Sequence, residues 1–233
     1  MADAAGAEPQ SEHEDAAGAV EVREDQPEEI DESKSGPEDR ATAGPFDVSE
    51  VTAMRPYVDL GGIKVAPREG LQMRLDVDDR QKRVVAVTLT FGSSAVQVQA
   101  YSAPKSLGLW HQIRAGIAKQ VSGQGAKTSE EVGTLGPELI VVTQVPEAQG
   151  GGERTIRFVG VDGPRWVLRG AIMGEAATDA AAREQIFELI RDLVVVRGDQ
   201  PMPPNELLPL KVPAGAQQGG TAQAGGQTGS QSA

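Results

Sequence analysis

The sequence predicts an α+β fold: a mainly antiparallel sheet built from hairpins, with two helices packed on one face and a disordered tail at each end. Three observations predict it. Several segments alternate apolar and polar residues with period two around turn residues, the pattern of half-buried strands in hairpins. Two segments that follow hairpins carry apolar residues at helical spacing. The acidic charge is confined to one end: residues 1–50 hold 16 Asp and Glu against three basic residues, a balance of −13, while residues 51–233 hold 18 acids and 19 bases.

The elements follow in order. Residues 1–54 are mostly Ala, Gly, Pro, Glu and Asp, with few large apolar side chains. Such a segment buries too little surface to offset its ordering entropy, so an acidic disordered tail is expected. Leu71, Met73, Leu75 and Val77 alternate with polar residues, as do Val85, Val87, Leu89 and Phe91, then Val96, Val98 and Ala100. A four-residue loop from Gly92 to Ala95 puts the last two apolar sets on one face. A helix is expected over 106–121, with Trp110, Ile113, Ile117 and Val121 as its apolar stripe, Ser106 as cap and Gly123 as a left-handed stop. Residues 127–132 and 139–145 read as a further hairpin across 133–137. A second helix is expected over 179–193, with Ile186, Leu189, Ile190 and Leu193 on one face and Thr178 as cap. Val194-Val195-Val196 reads as a strand. Residues 201–213 are proline-rich and should run extended across the surface. Residues 214–233, rich in Gly, Gln and Ala, form a second disordered tail. The folded unit is a single domain over 55–213, with Phe158, Trp166, Trp110 and Phe187 at its centre.

The hairpin in residues 157–170 is the most informative stretch. Alternation around Asp162-Gly163 is a strong short-range hairpin signal. Proline lacks a ladder N–H, so Val161 is expected opposite Arg165, leaving Asp162, Gly163 and Pro164 as the loop. In that register Phe158 and Trp166 share a face and Arg157 lies opposite Arg169. Like charges directly opposite are mildly destabilising, so a carboxylate, solvent or a bound anion should offset them.

Residues 157–170, together with Val194-Val195-Val196-Arg197-Gly198-Asp199-Gln200-Pro201-Met202-Pro203-Pro204, resemble an actinobacterial family, domain of unknown function 3710. Val58-Asp59-Leu60-Gly61-Gly62, Val96-Gln97-Val98-Gln99-Ala100-Tyr101-Ser102-Ala103-Pro104 and Leu109-Trp110 are similar to the same family. The resemblance spans roughly 55–213. It implies a bacterial host, in keeping with fifteen Arg against seven Lys. It supplies no reaction, cofactor or catalytic residue.

Composition narrows the function classes. The chain has no cysteine, which removes disulfides, thiolate nucleophiles and Cys-ligated metal centres. No basic stretch precedes an apolar one at the N-terminus, and no window approaches the ~18 apolar residues of a membrane span, so a cytoplasmic protein off the membrane is expected. The near-neutral middle argues against a dedicated nucleic-acid binder. His13 lies in the tail, and His111 has none of the usual partners of a catalytic or zinc-binding histidine. Asp76, Asp78 and Asp79 precede Arg80-Gln81-Lys82-Arg83 and read as a solvated turn rather than a metal site. No metal or other cofactor is expected.

Arg157, Arg165 and Arg169 remain, with Arg197 able to join them. They can grip a phosphate or carboxylate on an exposed sheet face, or cover that face and pair with ordinary acids. The expected function is a non-catalytic cytoplasmic interaction or accessory module with a protein partner. The alternative is a small-anion or nucleotide binder that uses these four arginines.

Overall fold

The computed structural model describes residues 33–52 and 55–213. The elements in chain order are α1 (Arg40–Ala43), β1 (Phe46–Asp47), β2 (Val58–Asp59), β3 (Ile63–Val65), β4 (Gln72–Asp78), β5 (Arg83–Phe91), β6 (Ser94–Ser102), α2 (Trp110–Ser122), β7 (Lys127–Gly133), β8 (Gly136–Gln144), β9 (Glu153–Asp162), β10 (Trp166–Gly174), α3 (Ala180–Arg191) and β11 (Val194–Val195). Seven strands form an antiparallel sheet in the order β4-β5-β6-β10-β9-β8-β7. A small sheet runs β1-β11-β3-β2, with β1 and β11 parallel. The α+β class and the antiparallel hairpins are as the sequence predicts.

The helices differ from expectation: they lie on opposite faces of the large sheet. Ile186, Phe187, Leu189 and Ile190 of α3 pack with Val96, Val98, Val159, Val161, Leu168 and Ile172. The small sheet adds Ile63, Val65 and Val195 to this core. On the other face Trp110, Ile113, Ile117 and Val121 of α2 pack on Leu139, Val141, Phe158, Val167 and Ala171. Each fully buried large side chain contributes about 1.5–3 kcal/mol. The four aromatic residues expected at one centre are thus divided, Trp166 and Phe187 in one core and Trp110 and Phe158 in the other. Strands β9 and β10 bury both faces, so their apolar residues run almost continuously and alternation does not set their register.

That register is the second correction. Val161 pairs with Leu168, not Arg165, and Phe158 pairs with Ala171. Gly163, Pro164 and Arg165 lie between the strands, and the Gly163 amide donates to the Trp166 carbonyl oxygen at 2.7 Å. The offset from expectation is three residues, an odd number, which sends Phe158 and Trp166 to opposite faces. Gly160 faces α2, where an added Cβ would lie 2.1 Å from the Trp110 ring, so only glycine lets the helix approach this closely.

The β5–β6 turn is two residues, Gly92-Ser93, rather than four; parity is unchanged and the apolar sets share a face as expected. The second helix is capped by Asp179, whose carboxylate accepts from the Ala182 amide at 2.8 Å, and not by Thr178. Gly125 rather than Gly123 takes the left-handed conformation after α2. Residues 206–211 run extended, as expected within 201–213, but bind two layers together rather than only crossing the surface. Leu208 is completely buried, its amide donates to the Ala100 carbonyl oxygen (2.8 Å), and the Lys211 amide donates to that of Leu60 (2.8 Å).

The disorder expected at 1–32 and 214–233 lies outside the described residues. Residues 33–52, expected within the acidic tail, belong to the fold. Phe46 pairs with Val194 and the Asp162 amide donates to the Ser35 carbonyl oxygen (2.6 Å). The Trp166 indole N–H donates to the Asp47 carboxylate at 2.9 Å. Asp47 and Glu50 form a capping box, each carboxylate accepting from a backbone amide of the other's turn. Burial alone would raise the Asp47 carboxyl, but hydrogen bonds from Ser49 and Trp166 and the nearby Arg40 charge together outweigh it and hold the group below its ordinary value of 3.8. A lowered acid contributes stability at neutral pH that is lost as pH falls through and below 3.8. Asp47→Asn is therefore expected to cost about 1–2 kcal/mol at pH 7 and to flatten the acid limb of stability. Urea melts of both proteins from pH 7 downwards check this; parallel curves would show that Asp47 does not tie this segment to the sheet.

Candidate functional site

The register decides what the sheet arginines can do. Arg157 pairs with Ile172 and not with Arg169, so the expected repulsion between the two arginines does not arise. Arg157 points to the α3 face. Arg169 lies on the α2 face, its guanidinium 5.2 Å from the centre of the Phe158 ring. Arg165 is exposed in the β9–β10 loop. Arg197 follows β11, where it reaches Ser102 at the end of β6. The structure does not bring Arg157, Arg165 and Arg169 together on one face.

Arg157 is buried, and its charge is compensated within the protein. Nη1 donates to Glu138 Oε2 at 2.6 Å and to Glu131 Oε2 at 2.9 Å, and Nε donates to the Ala177 carbonyl oxygen at 3.4 Å. Glu138 is almost wholly buried on β8, and its Oε1 has no hydrogen-bond partner. It lies against Gly133, where a Cβ would be 1.8 Å from Oε1. Burial pushes the Glu138 carboxyl above its ordinary value in spite of Arg157. For Arg157 burial works toward a lower value, but the bonds to Glu138 and Glu131 outweigh it and the net shift is upward.

Asp162 is a further buried charge, and its role is not evident from the Asp-Gly dipeptide. Its Oδ1 accepts from the Leu109 amide (2.8 Å), and its Oδ2 accepts from the amides of Ser35 (3.0 Å) and Trp110 (3.3 Å). It therefore caps α2 from the sheet, in place of Ser106, and fastens the 33–36 segment to the same point. Lys34 lies beside it and donates to the carbonyl oxygens of Gly163 and Pro164. Burial raises the Asp162 carboxyl, more than the three backbone amides lower it.

Helix α2 lies over β7, β8 and β9, leaving the β4–β6 part of that face to polar side chains. Asp76 Oδ2 accepts from Thr88 Oγ1 (2.6 Å) and Gln97 Nε2 (2.9 Å), and its Oδ1 accepts from Arg74 Nε (3.1 Å). Tyr101 donates to Gln99 Oε1 at 2.9 Å. Asp76 is thus a member of a sheet-face network, while Asp78 accepts from the Arg80 amide in the turn. The result is a half-exposed array of amide, hydroxyl and guanidinium groups held by mutual hydrogen bonds.

The fold and these charges define a class: an α+β domain whose buried Arg157 and Asp162 hold its segments together, with a polar area of sheet left open. A family model described as protein of unknown function (DUF3710) matches residues 44–219, and the chain belongs to that family. No curated protein matches. Among solved structures, the solution structure of cyanobacterial PsbP (CyanoP) from Synechocystis sp. PCC 6803 is similar at 10% identity, covering 62% of this chain and 97% of that one, with a TM-score of 0.32. No described helix is long and apolar enough to cross a membrane.

Proposed function

We propose that this protein is a non-catalytic interaction module, an accessory factor in the cytoplasm of an actinobacterial host, that docks a protein partner on the open polar part of its large sheet. The observation that carries this reading is the ordered array of Arg74, Asp76, Gln97, Gln99 and Tyr101 beside α2. Its groups are pre-positioned by one another, so little side-chain entropy is lost when a partner surface exchanges hydrogen bonds with them. Its mixed polarity suits a protein surface better than a polyanion. The engagement of Arg157 and Asp162 in the fold supports a non-catalytic role.

A photo-crosslinking amino acid at Gln97 or Thr90, in the full chain at native expression in its own host, should give one discrete adduct that the same residue at Glu184 on α3 does not. Capture of no protein from the sheet positions, or the same set from all three, would count decisively against docking at this face.

A further inference from the structure

One buried cation has no counter-charge among the described residues. Arg197 is 9% exposed. Its Nη1 donates to the carbonyl oxygens of Gln200 (2.5 Å) and Gly198 (3.1 Å), and its Nη2 to Ser102 Oγ (3.4 Å). Its Nε is buried without an acceptor. Among the described residues no carboxylate forms an ion pair with it, in contrast to Arg157, which has two. Carbonyl dipoles fix the plane of a guanidinium but do not neutralise it, and an uncompensated charge away from water is costly.

The surroundings supply a place for the missing charge. Arg197 lines a cleft of about 560 Å³ between the small sheet, the 198–202 loop and the 209–211 segment. Lys64 stands on its wall, on the side of β3 opposite the buried Ile63 and Val65. Lys211 stands on the wall as well, its ammonium 3.5 Å from Asp59. The Asp59 carboxylate is further occupied by the Gly61 amide at 2.8 Å. With Asp199 the wall carries three cations against two acids; pairing Lys211 with Asp59 leaves Arg197 and Lys64 against Asp199 alone. Gly198, at φ +70°, leaves open space where a Cβ would stand. Met202 and Leu210 add an apolar side, the mixture typical of a small-molecule site.

We infer that this cleft binds a small oxyanion, the phosphoryl or carboxylate group of a small molecule, with Arg197 as its buried anchor and Lys64 and Lys211 closing over it. The anion completes the neutralisation that the described residues leave undone at Arg197. The site is separate from the open sheet face and does not depend on docking there.

Thermal unfolding of the full chain tests it with inorganic phosphate and with succinate, each against sodium chloride of equal ionic strength. At least one of the two should raise the midpoint above the chloride control, saturably. A shift from phosphate alone assigns a phosphoryl group; one from succinate alone assigns a carboxylate. Lys64→Gln combined with Lys211→Gln removes two wall cations without touching the core. It should leave the anion-free midpoint in place and weaken the apparent affinity at least tenfold. Arg197→Lys, which keeps the charge but loses the planar fork, should weaken it too. No shift beyond chloride for either anion, or an undiminished shift in the double lysine variant, overturns the inference.

Discussion

Asp162→Ala is expected to destabilise the protein by about 4 kcal/mol, because it strands three buried backbone amides at once. The Leu109 and Trp110 amides lose the acceptor that starts α2, and the Ser35 amide loses its link to the sheet. An ordinary helix cap fails locally; this one joins three chain segments, so its loss loosens α2 and the 33–36 segment together. Chemical denaturation with a far-ultraviolet helix signal measures it. A cost near that of an exposed cap, about 1 kcal/mol, would show that water takes over the role of the carboxylate. The pH dependence follows from the direction of the shift. The folded state raises this carboxyl above its ordinary 3.8, so it binds the proton more tightly than the unfolded chain does. Between 3.8 and the raised value, stability from this group falls as pH rises, and above that window the full cost of the buried charge is present. Asp162→Asn removes this contribution, which opposes in sign the one from Asp47.

The second large effect is at Arg157 and Glu138. Arg157→Ala leaves Glu138 buried without the one cationic hydrogen-bond partner it has among the described residues and is expected to cost about 3–5 kcal/mol. Glu138→Leu alone leaves Arg157 with the half-exposed Glu131 and should cost less. Arg157→Met with Glu138→Leu removes both charges and fills their volume, and should return stability to within about 1 kcal/mol of the parent or exceed it. With the Arg157→Met single variant added, the cycle of Arg157→Met and Glu138→Leu at pH 7 reads the coupling directly. If the double variant is as unstable as Arg157→Ala, packing around the pair matters more than its charge.

The sequence reveals those parts of the fold where one face of a strand or helix meets water. Met73, Leu75, Val87, Leu89, Val96 and Val98 alternate cleanly because β4, β5 and β6 have a polar face, so these strands and the β5–β6 hairpin were legible. Phe158 and Val159, or Val167 and Leu168, are neighbours in sequence that enter different cores, so pairing the aromatics gave the wrong register. The supposed arginine face depended on that pairing and went with it; of its members, Arg197 lines a cleft with Lys64 and Lys211. Asp162 carried no readable sign of its role, because its partners Trp110 and Ser35 lie 52 and 127 residues away. A turn aspartate and a buried cap look alike in one dimension. The start of the fold was hidden by composition: Phe46 and the capping box of Asp47 and Glu50 were the signal, set in a stretch otherwise like the acidic tail.

Residues 205–211 have a consequence for how the chain is made. Leu208 fills the core between layers that begin at residue 46; its own amide donates to the Ala100 carbonyl oxygen and the Lys211 amide to that of Leu60. During synthesis the hairpins can form as they leave the ribosome, yet the apolar gap that Leu208 occupies stays open until residue 208 has cleared the exit tunnel. A nascent chain stalled before that point carries exposed apolar surface and is a substrate for chaperones and proteases.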